Sequence, residues 1–528
     1  MTGALIITLL IAVVAVAVIA KRFNVPYPVA FVIGGAALAF IPNIPRPQQL
    51  DPQLIFLVVL PPLLFAGGWL SDWTEFKRNG RSILLLGVGL VIFSTVLVAW
   101  VGHQIGLSWP MAFTLGAVVS PPDAVAAEAV FEQLSIPRRV AAVLTGEGLV
   151  NDATALVLYR YALLAAVTGF FSLQNAALSL VGVALGGIAI GLFVAIVIEF
   201  SLGYLERIEL QDSLIASILL LVGPYASYLS AETLHASGVL SAVTAGLYLG
   251  RRQSFVLDSE ARVLSAGVWQ VLIFLLNALV FLLIGLQLPS IIRDLNMSPG
   301  RFAVDALIVS VAVIVIRLVW VFPAVYLPRW LSKKLRERDP TPRVSYVVLI
   351  GWSGMRGIVS LAAALAIPYT DAAGHPLSGR AEIIFITFCV IFATLVLQGL
   401  SLAPLIRWLG LSETSSRQAQ ETSLRIAALE SAVQYLHSLE PTFESTHEWE
   451  IEGRILGEYA ARIDHLKGHL AENNGAPIAE NAIDHRLQKE ALEAERRKIN
   501  DLRRDGKIPD DLYRQILYDL DLADLRLA

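Results

Sequence analysis

Thirteen stretches of this chain are apolar and long enough to cross a lipid bilayer, and they constrain the fold more than any other feature. A helix needs about 20 apolar residues to span the hydrocarbon core. Of the 528 residues, 56% are apolar and 16% are charged. We therefore predict an all-α polytopic membrane protein with spans near residues 3–20, 27–43, 54–71, 82–102, 109–131, 139–166, 177–204, 211–230, 234–250, 265–289, 302–327, 344–368 and 381–406.

The Lys and Arg residues between these spans predict the orientation in the membrane. If the N-terminus lies outside, the loops on the cytoplasmic side carry seventeen Lys and Arg residues and the opposite loops carry four. Cytoplasmic loops are the ones that carry such an excess. The sequence thus predicts a multi-pass protein of the cell inner membrane, in contact with lipids, with its C-terminus in the cytoplasm.

The composition changes after the last span and predicts a second domain. Residues 1–410 form the predicted membrane domain, whereas residues 411–528 are rich in charge and contain no apolar run of membrane length. Apolar residues in this tail recur at helical spacing, from Ile426 to Leu436. We predict a small helical cytosolic tail that packs on itself or on a partner subunit. A regulatory role is the alternative, and no soluble partner or nucleic acid is indicated.

Two predicted spans contain helix-breaking residues at corresponding positions. Thirteen spans divide into six, one and six, and many secondary transporters consist of inverted repeats with broken helices at a central site. The fifth span contains Pro121 and Pro122, which disrupt a helix. The twelfth contains three glycines between residues 351 and 357, which permit unwinding. We predict two inverted repeats whose broken helices cross at one site.

Carboxylates within apolar spans indicate the chemistry of that site. Asp123 follows the two prolines, and Asp152 lies in the sixth span. Charged groups at membrane depth are costly and usually functional. A buried carboxylate can hold either a proton or a small cation, so Asp152 and Asp123 are candidate transient sites for a monovalent metal ion and for H⁺. The alternative is that both acids are permanently paired structural groups.

The remaining polar residues at depth are assigned either to a structural ion pair or to ion binding. Glu147 is five residues before Asp152 and so lies on another face of the helix; we predict a structural ion pair with Arg356, or with Arg317 as second choice. Asn151 offers a donor and an acceptor that do not ionise, and we predict that it belongs to the ion- and proton-binding set with Asp152 and Asp123. Ser120 is a candidate neutral ligand of the cation, and the alternative is that its hydroxyl bonds back to its own helix.

The motifs together resemble the monovalent cation:proton antiporter family 1, which includes the NhaP proteins and the animal sodium/proton exchangers. The resemblance covers roughly residues 50–405 and none of the tail. It rests on Gly146-Glu147-x-Leu149-x-Asn151-Asp152, Asp123-x-Val125, Gly354-Met355-Arg356-Gly357-x-x-Ser360-Leu361, Leu60-Pro61-Pro62-Leu63-Leu64-Phe65 and Ser237-Gly238-Val239-Leu240.

The resemblance implies a homodimer with a dimerisation domain and a mobile core of six helices. It implies alternating access, with Asp152 carrying the cation or proton, Asn151 stabilising its helix and Asp123 as a further site acid. Asn before the site Asp is the family pattern for electroneutral exchange. The implied activity is Na⁺/H⁺ antiport in pH homeostasis, with Li⁺ or K⁺ left open. Some family members carry an acid, a proline and a hydroxyl residue where this chain has Ala66, Ala124 and Gly148. These differences remove potential cation ligands and leave K⁺/H⁺ antiport as the alternative within the class.

Other functional classes are less consistent with the sequence. A cation channel needs a continuous pore with several weak sites, whereas paired helix breaks favour a carrier. Gly351-Trp352-Ser353-Gly354 matches a pattern of intramembrane serine proteases, but the only His between Ser353 and the tail is His375, in a predicted outer loop. His465 and His469 have metal-ligand spacing, yet an exposed tail surface is the simpler interpretation. We predict no enzyme activity, and no cofactor besides the transported Na⁺ and H⁺.

Overall fold

The protein is mainly helical in the part that its computed structural model describes. The described residues are 3–41, 52–131, 136–169, 173–210, 212–293, 299–339, 341–411, 414–439, 446–472 and 479–504, with residues 513, 516, 517, 520 and 521. Within these ranges there is no β-strand, which confirms the predicted all-α class. The chain separates into two compact units, Met1–Ser412 and Glu413–Ala528.

The first unit consists of apolar helices joined by short connections. Two helical runs include a π-helical segment, at Ile55–Val59 and at Leu85–Leu90. The α-helices are α1 Gly3–Phe23, α2 Tyr27–Leu38, α3 Pro52–Leu54, α4 Leu60–Leu70, α5 Trp73–Leu84, α6 Val91–Gln104, α7 Trp109–Val119, α8 Ala124–Phe131, α9 Arg138–Thr168, α10 Leu173–Arg207, α11 Ser213–Thr233, α12 Gly238–Val256, α13 Ser259–Leu286, α14 Leu288–Arg293, α15 Pro299–Leu331, α16 Lys333–Arg338, α17 Val344–Trp352, α18 Ile358–Leu365 and α19 Arg380–Trp408.

Within the described residues, each predicted span coincides with one helical run or with a broken pair of helices. Residues 42, 43 and 211, which belong to predicted spans, lie outside the described part. Eight described helices are long and apolar enough to cross a membrane: Leu5–Phe23, Trp73–Gln104, Arg138–Thr168, Ser179–Arg207, Ser213–Thr233, Ser259–Arg293, Arg301–Leu331 and Arg380–Trp408. Three shorter apolar helices are Tyr27–Leu38, Ile55–Leu70 and Trp109–Val119. The exact number of thirteen spans and their orientation stay predictions.

Both predicted helix breaks are present. The fifth span is interrupted at residues 120–123, between α7 and α8, and the twelfth at residues 353–357, between α17 and α18. The first break follows from Pro121 and Pro122, which cannot donate a backbone hydrogen bond. At the second, a side chain on Gly357 would collide with Asp123, since an added Cβ would lie 1.5 Å from its Oδ2.

Close contact between α2 and α13 depends on glycine. A Cβ added to Gly285 would lie 2.2 Å from the carbonyl oxygen of Val32 and 2.5 Å from the amide nitrogen of Ala36. Small residues of this kind let membrane helices approach along their backbones and pack tightly. The α2–α13 contact therefore requires the absence of a side chain at position 285.

The described part of the second unit consists of polar helices. Its described helices are α20 Thr414–Leu439, α21 Thr446–Glu472 and α22 Ala479–Arg504. Helices α20 and α21 pack together, with Ile426 and Ile463 buried and an exposed ion pair of 3.0 Å between Lys467 Nζ and Glu430 Oε1. The tail is thus helical, as predicted, and its role stays a prediction.

We expect Gly285→Ala to destabilise the membrane unit by about 1–3 kcal/mol, because the added methyl group overlaps the backbone of α2. The matched control is Gly267→Ala on the same helix, where an added Cβ meets no atom within 4 Å. The control should be neutral or stabilising by up to about 1 kcal/mol through helix propensity. Thermal unfolding of the detergent-solubilised variants measures both. Equal stability of the two variants would contradict the proposed contact.

Candidate functional site

The two helix breaks meet in the interior of the membrane unit. The backbone N–H of Asp123, in the first break, donates to the carbonyl oxygen of Met355, in the second, at 2.7 Å. The Asp123 carboxylate lies against Gly357, which has no side chain to exclude it. The breaks therefore form one crossing point, as the sequence predicted, and Asp123 is part of it.

A cavity lies beside this crossing point and contains both predicted site acids. Its empty volume is about 690 Å³, part of it open to solvent. The polar residues on its wall are Asp123, Glu128, Thr145, Asp152, Asn277 and Ser360, and the rest of the wall is mainly apolar. Asp123 and Asp152 are close enough for their charges to interact. Two carboxylates in one partly apolar cavity are chemically able to bind a cation or protons.

Helix α9 presents the cavity-facing residues on a single face. Thr145, Gly148, Leu149 and Asp152 all line the cavity. Their spacing of three, four and seven residues places them one above another on a helix. Glu147 points elsewhere, as its five-residue separation from Asp152 predicted. Helix α9 thus presents Asp152 to the cavity and directs Glu147 away from it.

Glu147 forms a buried ion pair with Arg317 of α15. Both side chains are only 1% exposed. The guanidinium binds the carboxylate through two contacts: Nη1 donates to Oε1, and Nη2 donates to Oε2 at 2.9 Å. Arg317 also donates to the carbonyl oxygen of Ile350, near the end of α17, at 3.0 Å from Nη2. This residue therefore connects α9, α15 and α17.

The predicted first-choice pairing of Glu147 with Arg356 is wrong, because Arg356 lies within the second break and binds backbone carbonyls. Its Nε donates to the carbonyl oxygen of Val119 at 2.8 Å, and its Nη1 donates to that of Gly354. Val119 is the last residue of α7, where a helix leaves carbonyls without partners. Arg356 is fully buried and places a positive charge at this negative helix end. Arg317 is the partner of the acid.

Asn151 and Ser120 support the breaks and are not on the cavity wall. The Asn151 Nδ2 donates to the carbonyl oxygen of Pro122 at 2.7 Å, so it holds α9 to the first break. The Ser120 hydroxyl donates to the carbonyl oxygen of Gly116 at 2.5 Å and lies 3.1 Å from Thr95 Oγ1. For Ser120 the structure favours the alternative in which the hydroxyl bonds to its own helix.

Three further polar residues that were not predicted from the sequence share the cavity with Asp123 and Asp152: Glu128, Thr145 and Ser360. Glu128 could have been found, since it is an acid in the same apolar span as Asp123. Thr145 could have been found from its seven-residue spacing to Asp152. Ser360 belongs to a glycine-rich motif, but nothing in the sequence indicates that its side chain faces the cavity. The orientation of this side chain depends on the geometry of the second break.

A second charged cluster lies outside the cavity, at Asp339. Its Oδ1 accepts from Arg139 at 2.5 Å, its Oδ2 accepts from Arg329 at 2.6 Å, and Arg81 is 3.6 Å away. Burial by itself raises the pKa of Asp339, but the hydrogen bonds and positive charges of Arg139 and Arg329 outweigh it and hold the pKa below its usual value. This cluster ties α9 and α15 to the chain after α16.

Comparison with known proteins gives consistent relatives. The family model described as "Sodium/hydrogen exchanger, transmembrane" matches residues 7–408. The chain is 31% identical over 540 aligned positions to the uncharacterized Na(+)/H(+) exchanger YjcE of Escherichia coli strain K12, with 99% of this chain and 98% of that protein covered. It is 34% identical over 415 positions to the sodium, potassium, lithium and rubidium/H(+) antiporter of Bacillus pumilus strain SAFR-032, covering 76% of this chain and 61% of that protein.

A solved structure has the same fold. The sodium proton antiporter MjNhaP1 from Methanocaldococcus jannaschii, solved at pH 8, superposes with a TM-score of 0.58 and 20% identity. The match covers 77% of this chain and 98% of that chain. At this identity the likeness shows the fold alone.

We expect Glu147→Gln and Arg317→Gln each to destabilise the protein by about 3–5 kcal/mol, because each leaves a buried charge without its partner. The double variant should lose less than the sum of the two. The control pair is Arg160–Glu232, which is 2.8 Å apart but exposed by 52% and 30%, so its removal should change stability by about 1 kcal/mol or less.

Unfolding free energies of the single and double variants give the coupling energy. Coupling between Glu147 and Arg317 should exceed coupling between Glu147 and Arg356. Additive losses for Glu147 and Arg317 would contradict the assigned ion pair.

The lowered pKa of Asp339 predicts a pH-dependent contribution to stability. Because its folded-state pKa lies below the unfolded value of about 3.9, the contribution is complete above that value and is lost as the pH falls through the folded value. We expect Asp339→Asn to lower stability by about 1–2 kcal/mol near neutral pH and the difference from the native protein to shrink below about pH 4. Melting curves from neutral to acidic pH test this prediction, with Glu206→Gln at an exposed position of α10 as the control. A constant difference would contradict it.

Proposed function

Because the chain belongs to the sodium/hydrogen exchanger family, whose model matches residues 7–408, we propose that Asp152 is the carboxylate at which this antiporter exchanges Na⁺ for H⁺. Membership of the family confirms the resemblance that the motifs indicated. It also makes the chain a transporter and not an enzyme, as predicted.

The observation that carries the proposal is the position of Asp152 and Asp123 on one cavity wall beside two crossed helix breaks. A carboxylate oxygen binds either a proton or a hard cation, and the two compete for the same lone pairs. When the cavity opens alternately to each side of the membrane, this competition couples the outward movement of one ion to the inward movement of the other. Asp123 supplies further oxygen ligands, while Asn151 and Ser120 hold the first break in shape.

The exchange is proposed to be electroneutral, with one Na⁺ for one H⁺. Its support is that Asn151 occupies the position before Asp152 and does not ionise, so this position adds no second charge. Li⁺ and K⁺ are proposed as further substrates, since the Bacillus pumilus relative is named for sodium, potassium, lithium and rubidium.

The chain is a multi-pass membrane protein, and we place it in the inner membrane with its tail in the cytoplasm. Exposed apolar side chains on α1 support contact with lipid or with a second copy: Ile7, Ile11, Val14 and Val18 are 61–64% exposed and lie along one side of the helix. A homodimer, stabilised or regulated by the tail, is the assembly proposed from the family resemblance.

We expect Asp152→Asn to abolish exchange, because the amide can neither release a proton nor neutralise a cation. The measurement is cation-driven proton movement in proteoliposomes containing the native protein, Asp152→Asn or the control Asp305→Asn. Asp305 is also a partly exposed carboxylate but lies on α15, away from the cavity wall. Na⁺, K⁺ and Li⁺ are compared at several pH values.

Competition at one carboxylate predicts that the apparent KM for the cation rises by up to about tenfold for each unit fall in pH, with the maximal rate unchanged. Activity in the native protein and in Asp305→Asn, with none in Asp152→Asn, would support the proposal. Full exchange by Asp152→Asn would overturn the assignment of the site. A cation leak without proton movement in the native protein would favour the channel alternative.

A further inference from the structure

The cavity contains a third carboxylate, Glu128, that has no part in the proposed exchange at Asp152. Glu128 lies on α8 and lines the same cavity as Asp123 and Asp152. Its Oε1 accepts a hydrogen bond from the Thr145 hydroxyl of α9, so one oxygen is oriented. An ionised carboxylate has about four acceptor positions, so it can hold several partners at once. A carboxylate held in this way on a cavity wall is a potential ligand for a cation.

The geometry of α9 gives the position of Glu128 relative to Asp152. Thr145 and Asp152 are seven residues apart on one face of the helix, which corresponds to about 10 Å along its axis. Glu128, bonded to Thr145, therefore lies nearer the N-terminal end of α9, where Arg138 and Arg139 are found. The charge distribution of the loops predicts that this end faces the cytoplasm.

The unpaired hydroxyl of Ser360 indicates that the cavity binds a polar ligand or an ion. Ser360 lines the cavity and is 2% exposed, and its Oγ has no hydrogen-bond partner among the described residues. Buried polar atoms are almost always paired with protein, water or a ligand. Its oxygen is available to a hydrated or partly dehydrated cation that also contacts the carboxylates.

We propose that Glu128, oriented by Thr145, is a further cation-binding carboxylate of the transport cavity, which receives the ion between the cytoplasmic end of α9 and Asp152. The inference rests on the proposed function of Asp152 and adds to it a residue that sets cation affinity. A negative charge near a low-dielectric cavity raises the local cation concentration and strengthens binding there. Removing the charge should weaken cation binding while leaving the exchange step at Asp152 intact.

The test is Glu128→Gln, which retains an oxygen acceptor for Thr145 but loses the charge. We expect the KM for Na⁺ to rise about tenfold, equivalent to about 1.4 kcal/mol, with the maximal rate within about twofold of native. Glu128→Asp should restore most of the affinity. Glu206→Gln, the same change at an exposed position of α10, should leave KM unchanged.

A second measurement does not depend on transport. The rise in melting temperature on adding Na⁺ reports cation binding by the solubilised protein, so Glu128→Gln should show a smaller rise than native at the same Na⁺ concentration. Its melting temperature without cation should equal the native value if the residue acts on the ion and not on the fold.

Three results would overturn the inference. An unchanged KM in Glu128→Gln, together with loss of exchange in Asp152→Asn, would reject the role of Glu128 and retain the proposed function. A fall in maximal rate and in cation-free melting temperature, not rescued by Glu128→Asp, would show a purely structural role. Absence of exchange in the native protein would reject the proposed function itself, and the inference with it.

Discussion

Every other feature of the candidate site depends on how the two broken helices satisfy their backbone groups at membrane depth. An unpaired carbonyl or amide in this environment costs several kcal/mol, so a break persists only if the protein supplies partners. Arg356 binds the last carbonyl of α7, Asn151 binds that of Pro122, and the amide of Asp123 binds Met355. These contacts supply partners for both breaks without using the cavity.

The charges within the membrane unit are divided between structure and ion binding by the faces of α9. Glu147 and Arg317 neutralise each other on one face, in a bidentate contact sealed from solvent. Asp152 lies on the other face and meets an open cavity. A permanent partner at Asp152 would block competition between proton and cation. Glu147 and Asp152 are only five residues apart, but this spacing places them on different sides of the helix. One acid therefore has a structural role, and the other faces the cavity.

The sequence was sufficient to predict the helical class, both breaks and the two acids, because each depends on local chemistry. Prolines break a helix wherever they occur, and an acid within an apolar span is visible without coordinates. The partner of Glu147 was not predictable in the same way. Arg317 and Arg356 carry the same group, and only the path of the second break places Arg356 beside Val119. Ser120 and Ser360 were likewise indistinguishable, because a hydroxyl faces either its own helix or the cavity according to helix rotation.

The polar contacts around the cavity join one group of helices, whereas the facing wall is mainly apolar. Hydrogen bonds and the ion pair tie α7, α8, α9, α15 and α17 together through the two breaks. The opposite wall comes from α4 and α13 and is mainly apolar, with Leu60 and Leu64 packed near Leu149. Apolar contacts have no fixed direction, so under the proposed alternating access this boundary can slide while the hydrogen bonds within the tied group are kept. Because the three carboxylates lie on the tied group, they would move together, and the charge they carry would be decided by the ions bound.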